Sequence, residues 1–249
     1  MPSNNKLAAF PIVAVELGSR LESTAISVVE RAFVGTGETF NKTVYDHRGW
    51  ANLVASEKVV PEYRVRHLER RSPPVRYKGV ASRVGEIIES VGSCLLVIDI
   101  TAVGRPIYSL LGASVEEVLD RQKKVQVTHL PMTVSGTGAA SGVSRSPDAG
   151  YLVPRRDLVT LALLLFEQDR IKIAEALDLA GTLSQEFVDF KPKAPKEELE
   201  GWRFEKNDDL VLAVAMATWA GEKFLRKVSD APAGTLVGEI SDPNEAMVT

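Results

Sequence analysis

The sequence predicts an α/β fold, a mixed central sheet covered by helices on both faces, and three observations carry that expectation. Short apolar runs rich in β-branched residues, FPIVAVELG at 10–18 and CLLVIDITAVG at 94–104, stop at glycine as buried strands do. Segments with helical spacing, KGVASRVGEIIES at 78–90 and VPRRDLVTLALLLFEQ at 153–168, alternate with apolar strands. Strands come early and then interleave with helices, an order that puts helices on either side of one sheet.

Taken in order, residues 1–9 read as a polar leader, 10–226 as the folded domain and 227–249 as an acidic, flexible tail. STAISVVERAF at 23–33 follows the first strand as a second, and the Gly/Thr-rich GTGETFNKT at 35–43 reads as a turn. EYRVRHLERR at 62–71 alternates like a strand and is closed by Ser72-Pro73-Pro74. Arg105-Pro106 opens a helix, with proline near its favoured first position. VQVTHLPMTV at 125–134 is a further strand, and the Gly/Ser-rich stretch at 135–150 is a mobile loop. After the helix that begins at Pro154 come a short strand, RIKIAE at 170–175, and an amphipathic helix through LAGTLSQEFVDF at 179–190. A charged connection, KPKAPKEELEGW at 191–202, leads to the last helix, whose stretch Leu210–Ala220 has Thr218 as its single polar residue.

Composition removes several function classes. At 249 residues, 45% hydrophobic, the chain is long enough for one large core. Its apolar runs are too short to cross a bilayer, and MPSNNKLAAF has no signal-peptide pattern, so a cytosolic protein without a membrane partner is expected. The single Cys94 lies inside an apolar strand and reads as a buried structural thiol. His47, His67 and His129 are far apart and lack zinc-site spacing, so any metal would be held by oxygen. A net charge of −3 argues against a generally basic nucleic-acid binder, but residues 64–83 hold seven Arg or Lys against the single acid Glu69.

The informative residues are acids. Glu16 finishes PIVAVE and Asp99 finishes CLLVID, each a charge set where an apolar strand stops, and Asp208-Asp209 opens the apolar last helix. Ligands gather at the carboxyl ends of strands in such sheets. Capping explains one acid at a helix start. A second, carried into the body of a domain, requires a partner. Carboxylates brought together repel unless protonated or bound to cations, and Mg²⁺ or Mn²⁺ are the hard cations that suit them. Two such ions assist in-line displacement at a phosphodiester without a protein nucleophile. The chemistry expected is therefore metal-dependent nucleic-acid hydrolysis, with Glu16, Asp99, Asp208 and Asp209 as metal-binding and catalytic candidates; which of the last two binds more directly stays open. Arg155 and Arg156 at a helix start, Arg145 in the loop and Arg105 six residues after Asp99 are the candidate DNA phosphate contacts.

ELGSRLESTA at 16–25, VIDITAVGRP at 97–106, GYLVPRRDLVTLALLLFEQDRIKI at 150–173 and NDDLVLAVAMATWAGE at 207–222 together resemble the nuclease domain of the phage terminase large subunit, a ribonuclease H-like fold, over residues 11–224. The resemblance implies a metal-dependent endonuclease that cuts double-stranded DNA during viral genome packaging, in the host cytoplasm and transiently at the procapsid, alongside a portal. It places the metal-binding acids at Glu16, Asp99 and the pair Asp208 and Asp209. The family usually has Asp where this chain has Glu16 and Glu22, so its D-x-G motif reads E-x-G. An extra methylene shifts a carboxylate by about 1 Å, a displacement that can cost about 10²-fold in rate, and reduced activity or an altered metal preference is expected. No G-x-x-x-x-G-K-[ST] occurs, so the chain reads as either a nuclease domain separated from its motor or a stand-alone relative that works with a separate packaging ATPase. The alternatives are a catalytically weakened DNA-binding or assembly module of the same fold, and a junction-resolvase-like nuclease.

Overall fold

The computed structural model describes residues 9–18, 22–46, 48–101, 104–135, 143–146, 150–189, 208–225 and 230–232. Its strands are β1 (Phe10–Glu16), β2 (Thr24–Tyr45), β3 (Ala51–Arg71), β4 (Cys94–Asp99), β5 (Val127–Ser135), β6 (Ser144–Ser146), β7 (Gly150–Pro154), β8 (Ile171–Ile173) and β9 (Asp230–Pro232). The helices are α1 (Tyr77–Val91), α2 (Gly104–Arg121), α3 (Arg155–Glu167), α4 (Ala180–Asp189) and α5 (Asp209–Lys223). One sheet runs β6-β7-β5-β4-β1-β2-β3-β8, with β9 paired to β3. The chain lays down β1, β2 and β3 as antiparallel neighbours, then crosses back through α1 to set β4 parallel to β1 on its other side.

Side-chain alternation divides this sheet into two apolar faces. Val13 and Val15 of β1 and Cys94, Leu96 and Ile98 of β4 face α1 and α2, joining Val84, Ile88, Leu111 and Val115 in one core. Ile12 and Ala14 with Leu95 and Val97 face the opposite way, into a core shared with α3, α4 and α5. The expectation of helices on both faces holds, and Cys94 is a fully buried thiol, as its neighbours imply.

Helix α5 lies in the middle of the second layer, against the sheet on one side and α3 and α4 on the other. Every residue from Asp209 to Gly221 is buried, which explains the absence of a polar face in the sequence. Thr218 satisfies its hydroxyl on the Ala215 carbonyl, 3.1 Å away. Among the described residues, no helix is long and apolar enough to cross a membrane.

The stretch 35–43, expected as a turn, is strand. β2 and β3 continue together past the sheet as an exposed ribbon whose last ten residues per strand reach about 30 Å. The register shift between Gly35 and Thr39 is what the Gly/Thr-rich sequence provides. The reversal comes later, where Asp46 Oδ1 accepts from the Arg48 and Trp50 amides at 2.8 and 3.0 Å and Gly49 takes φ of 80°. Within the stretch expected as a tail, residues 230–232 pair with Ser56–Lys58 of this ribbon.

Gly221 allows α5 to press on the sheet: a Cβ there would stand 2.5 Å from Cε1 of the fully buried Tyr63. Gly221→Ala should therefore destabilise the protein by about 1–3 kcal/mol through overpacking, despite alanine's better helix propensity. Urea unfolding of the two proteins measures the difference, and an equal or higher midpoint for the variant contradicts the packing.

Candidate active site

The pairing of β1 with β4 brings Val15 level with Ile98, and Glu16 and Asp99 are the next residue on each strand. Parallel neighbours lie about 4.8 Å apart. Because Ile12 and Ala14, like Leu95 and Val97, point toward α5, period-two alternation points Glu16 and Asp99 to that same side. The register continues the row across the sheet: Glu16 opposes Ala25, and Ala25 opposes Arg70. The Ala25 side chain is small, so an acid and an arginine flank a shallow place in the row. Helix α5 lies over it, with its start at Asp208-Asp209.

The chain leaves β1 through a sharp reversal at Gly18, where a Cβ would fall 2.1 Å from the Ser23 carbonyl oxygen. Thr24 Oγ1 accepts the Gly18 amide at 3.1 Å, and the Tyr77 hydroxyl donates to the Gly18 carbonyl at 2.9 Å. This close approach gives the glycine of E-x-G a structural duty, holding the end of β1 and hence Glu16 in place.

Asp99 is 4% exposed, and its Oδ1 accepts from both the amide and the hydroxyl of Thr101, the amide at 2.8 Å. The Thr101 hydroxyl in turn accepts the Val134 amide at 2.7 Å, tying the turn after β4 to β5. Burial pushes the Asp99 carboxyl up, opposed by the Thr101 bonds and by Arg155. Glu16 is pushed up to about 8 by burial and then by the negative charges of Asp99 and Asp209, against the lowering effect of Arg155. That mutual influence brings Glu16, Asp99 and Asp209 into one electrostatic neighbourhood.

Asp208 occupies the cap position of α5 but makes no side-chain capping bond. Its carboxylate instead pairs with Arg155 at the start of α3. Asp209, 7% exposed, accepts from Arg70 Nε at 2.8 Å through Oδ2. Glu16 Oε2 and Asp209 Oδ1 are buried oxygens without a hydrogen-bond partner. Such oxygens on anionic groups suit a proton or a hard cation, and in that chemical sense the donor set fits a divalent metal. Among the described residues, no group of three or more His, Cys, Asp or Glu stands close enough to form a ready cage. The guanidinium groups of Arg155 and Arg70 supply the positive charge to the acids of α5.

Of the arginines expected to meet phosphate, Arg155 stands at the acids: burial lowers its affinity for its proton, while Glu16, Asp99 and Glu22 raise it. Arg156 is exposed on the next position of α3. Arg145 is exposed on β6, its guanidinium 5.4 Å from the Tyr151 ring centroid. The side chain of Arg105 lies outside the described residues. Arg70, Glu186 and Thr101 are neighbours that sequence reasoning missed. Arg70 was visible only as one of seven basic residues, and its place beside Asp209 depends on a register that the sequence does not encode locally.

No protein-family model matches the sequence, and no curated protein does. Among solved structures, the manganese-soaked human cytomegalovirus terminase nuclease domain aligns over 88% of this chain and 86% of its own, at 13% identity and a TM-score of 0.50. This chain has the fold of a terminase nuclease domain. The large terminase nuclease from thermophilic phage G20c with bound magnesium aligns over 86% of this chain and 83% of its own, at 16% identity and a TM-score of 0.46. Thermus thermophilus RuvC aligns over 84% and 90%, at 12% identity and a TM-score of 0.31. The terminase nuclease fold is the ribonuclease H-like sheet, with helices on both faces, that the sequence predicts.

The raised Glu16 sets a pH dependence. Folded protein keeps this proton up to about pH 8, whereas the unfolded chain releases it near 4.5. The folded state thus binds more protons across that window, and the stability linked to protonated Glu16, complete below 4.5, is lost as pH rises through about 8. In EDTA, Glu16→Gln should flatten the fall in unfolding free energy from pH 5 to pH 9 and exceed wild type at the alkaline end. Denaturant titrations along that range measure it, and parallel pH profiles for the two proteins contradict it.

Proposed function

We propose that this protein is a nuclease of the terminase type, a metal-dependent endonuclease that cuts double-stranded DNA during viral genome packaging. What supports the reading is the electrostatic coupling of Glu16 to Asp99 and Asp209, acids of three separate elements, with one oxygen of Glu16 and one of Asp209 left without a partner. Glu16, Asp99, Asp208 and Asp209 would hold Mg²⁺ or Mn²⁺. A bound pair of such ions would neutralise charge on the attacking and leaving oxygens of the phosphodiester. The chain's own contributions are distinct. Thr101 holds the Asp99 carboxylate in one orientation, and the Gly18 reversal fixes the end of β1. Arg155 pairs with Asp208 and would offer the same guanidinium to a DNA phosphate. Exposed Arg145 and Arg156 extend the phosphate-binding surface, as does Arg105 on the sequence argument. Nothing in this set reads base edges, so cutting depends little on sequence. The reading implies a packaging ATPase and a portal as the other parts of the machinery.

One observation favours a second reading. Asp208 and Asp209 are each engaged by an arginine, and Glu16 is longer than the usual Asp, an arrangement that also suits a DNA-binding or assembly module with weakened catalysis.

Supercoiled plasmid incubated with the protein and Mg²⁺ or Mn²⁺ separates the two. The nuclease converts it to nicked and linear forms, and Asp99→Ala lowers the rate by at least about 10²-fold, given that even supporting residues around a metal cost up to that much. Absence of conversion with either ion over a wide protein range establishes the module instead. A four-way junction cut faster than linear duplex assigns a resolvase-like specificity.

A further inference from the structure

Arg70 on β3 and Glu186 on α4 lie far apart in sequence, yet both converge on the start of α5. Arg70 uses two separate nitrogens: Nε donates to Asp209 Oδ2 at 2.8 Å, and a terminal nitrogen pairs with Glu186 Oε1. The three side chains are mostly enclosed, 17% exposed for Arg70, 12% for Glu186 and 8% for Asp209. Burial pushes the Glu186 carboxyl up, opposed by its bond to Arg70. The result is a chain of contacts from Glu186 on α4 through Arg70 on β3 to one oxygen of Asp209. The other oxygen, Oδ1, remains buried without a partner, within electrostatic reach of Glu16.

We propose that Arg70 and Glu186 are positioning residues for a divalent cation at Asp209, fixing its carboxylate through Oδ2 so that Oδ1 is presented to the metal. The inference rests on the proposed metal site and adds to it the supports that orient one acid. A guanidinium suits the task because its planar fork grips two carboxylates at once, which an ammonium at the same place does not. Removing the charge of either residue would alter the field as well as the geometry. Arg70→Lys and Glu186→Asp keep the formal charges and change only reach and shape.

The test is the binding of Mn²⁺ alone, followed by electron paramagnetic resonance of the free ion, on wild type, both single variants and the double variant. Melting temperature in EDTA establishes that each is folded at the working temperature. Each single variant should bind Mn²⁺ about 10- to 100-fold more weakly, the usual cost of losing support around a metal ligand. The double variant should lose little more than the worse single one, since both act through one chain of contacts. Wild-type Mn²⁺ affinity in either folded single variant, with only a lower melting temperature, overturns the positioning role and leaves the metal site standing. Losses that add fully in the double variant also overturn it. Failure of the wild-type protein to bind Mn²⁺ overturns the metal site itself and this inference with it.

Discussion

The crowding of negative charge where β1, β4 and α5 meet is the constraint on which the rest of the site depends. Glu16 and Asp99 stand at adjacent strand ends on the face covered by α5, and Asp209 begins that helix. Burial and mutual repulsion make it costly for all of them to be ionised together. The free protein answers in two ways. Glu16 holds a proton to about pH 8, and Arg155 and Arg70 engage Asp208 and Asp209. Both offset part of that crowding of charge. A protein built only for stability would more simply fill such a place with apolar side chains, because buried ion pairs seldom outperform them.

The elements that carry these acids are firmly packed. Two apolar cores cover opposite faces of β1 and β4. Helix α5 is buried around its whole circumference, and Gly221 lets it sit against Tyr63 without a spacer. Its first turn is then pinned by Arg70 and Glu186 from different elements. Thr101 performs the matching service for Asp99 by linking its turn to β5. These supports come from β3, α4 and the β4–α2 connection, which is why the geometry of four acids involves most of the chain.

Much of this was legible in the sequence. An acid closing a β-branched run has few structural reasons to be there, and that pattern alone marks Glu16 and Asp99. The unbroken apolar character of Leu210–Ala220 announced a helix enclosed on all sides. What escaped depended on pairing at long range. Arg70 looked like any member of a basic strand, because its role is set by standing opposite Ala25, which stands opposite Glu16. Glu186 looked like a solvent-facing acid of an amphipathic helix. The β2–β3 ribbon was misread for another reason: glycine and threonine at 35–43 mark an irregular register as readily as a reversal, and the true turn is made by Asp46 and Gly49.

The central claim is that these acids form one cation site. Anomalous diffraction from a crystal soaked in Mn²⁺ addresses it directly, because the ion is located without reference to activity. The account predicts a strong anomalous peak bounded by Glu16, Asp99 and the Asp208-Asp209 pair, with Arg155 displaced from Asp208. Clear density for all four side chains with no peak among them, and Arg155 still on Asp208 at saturating Mn²⁺, would contradict it.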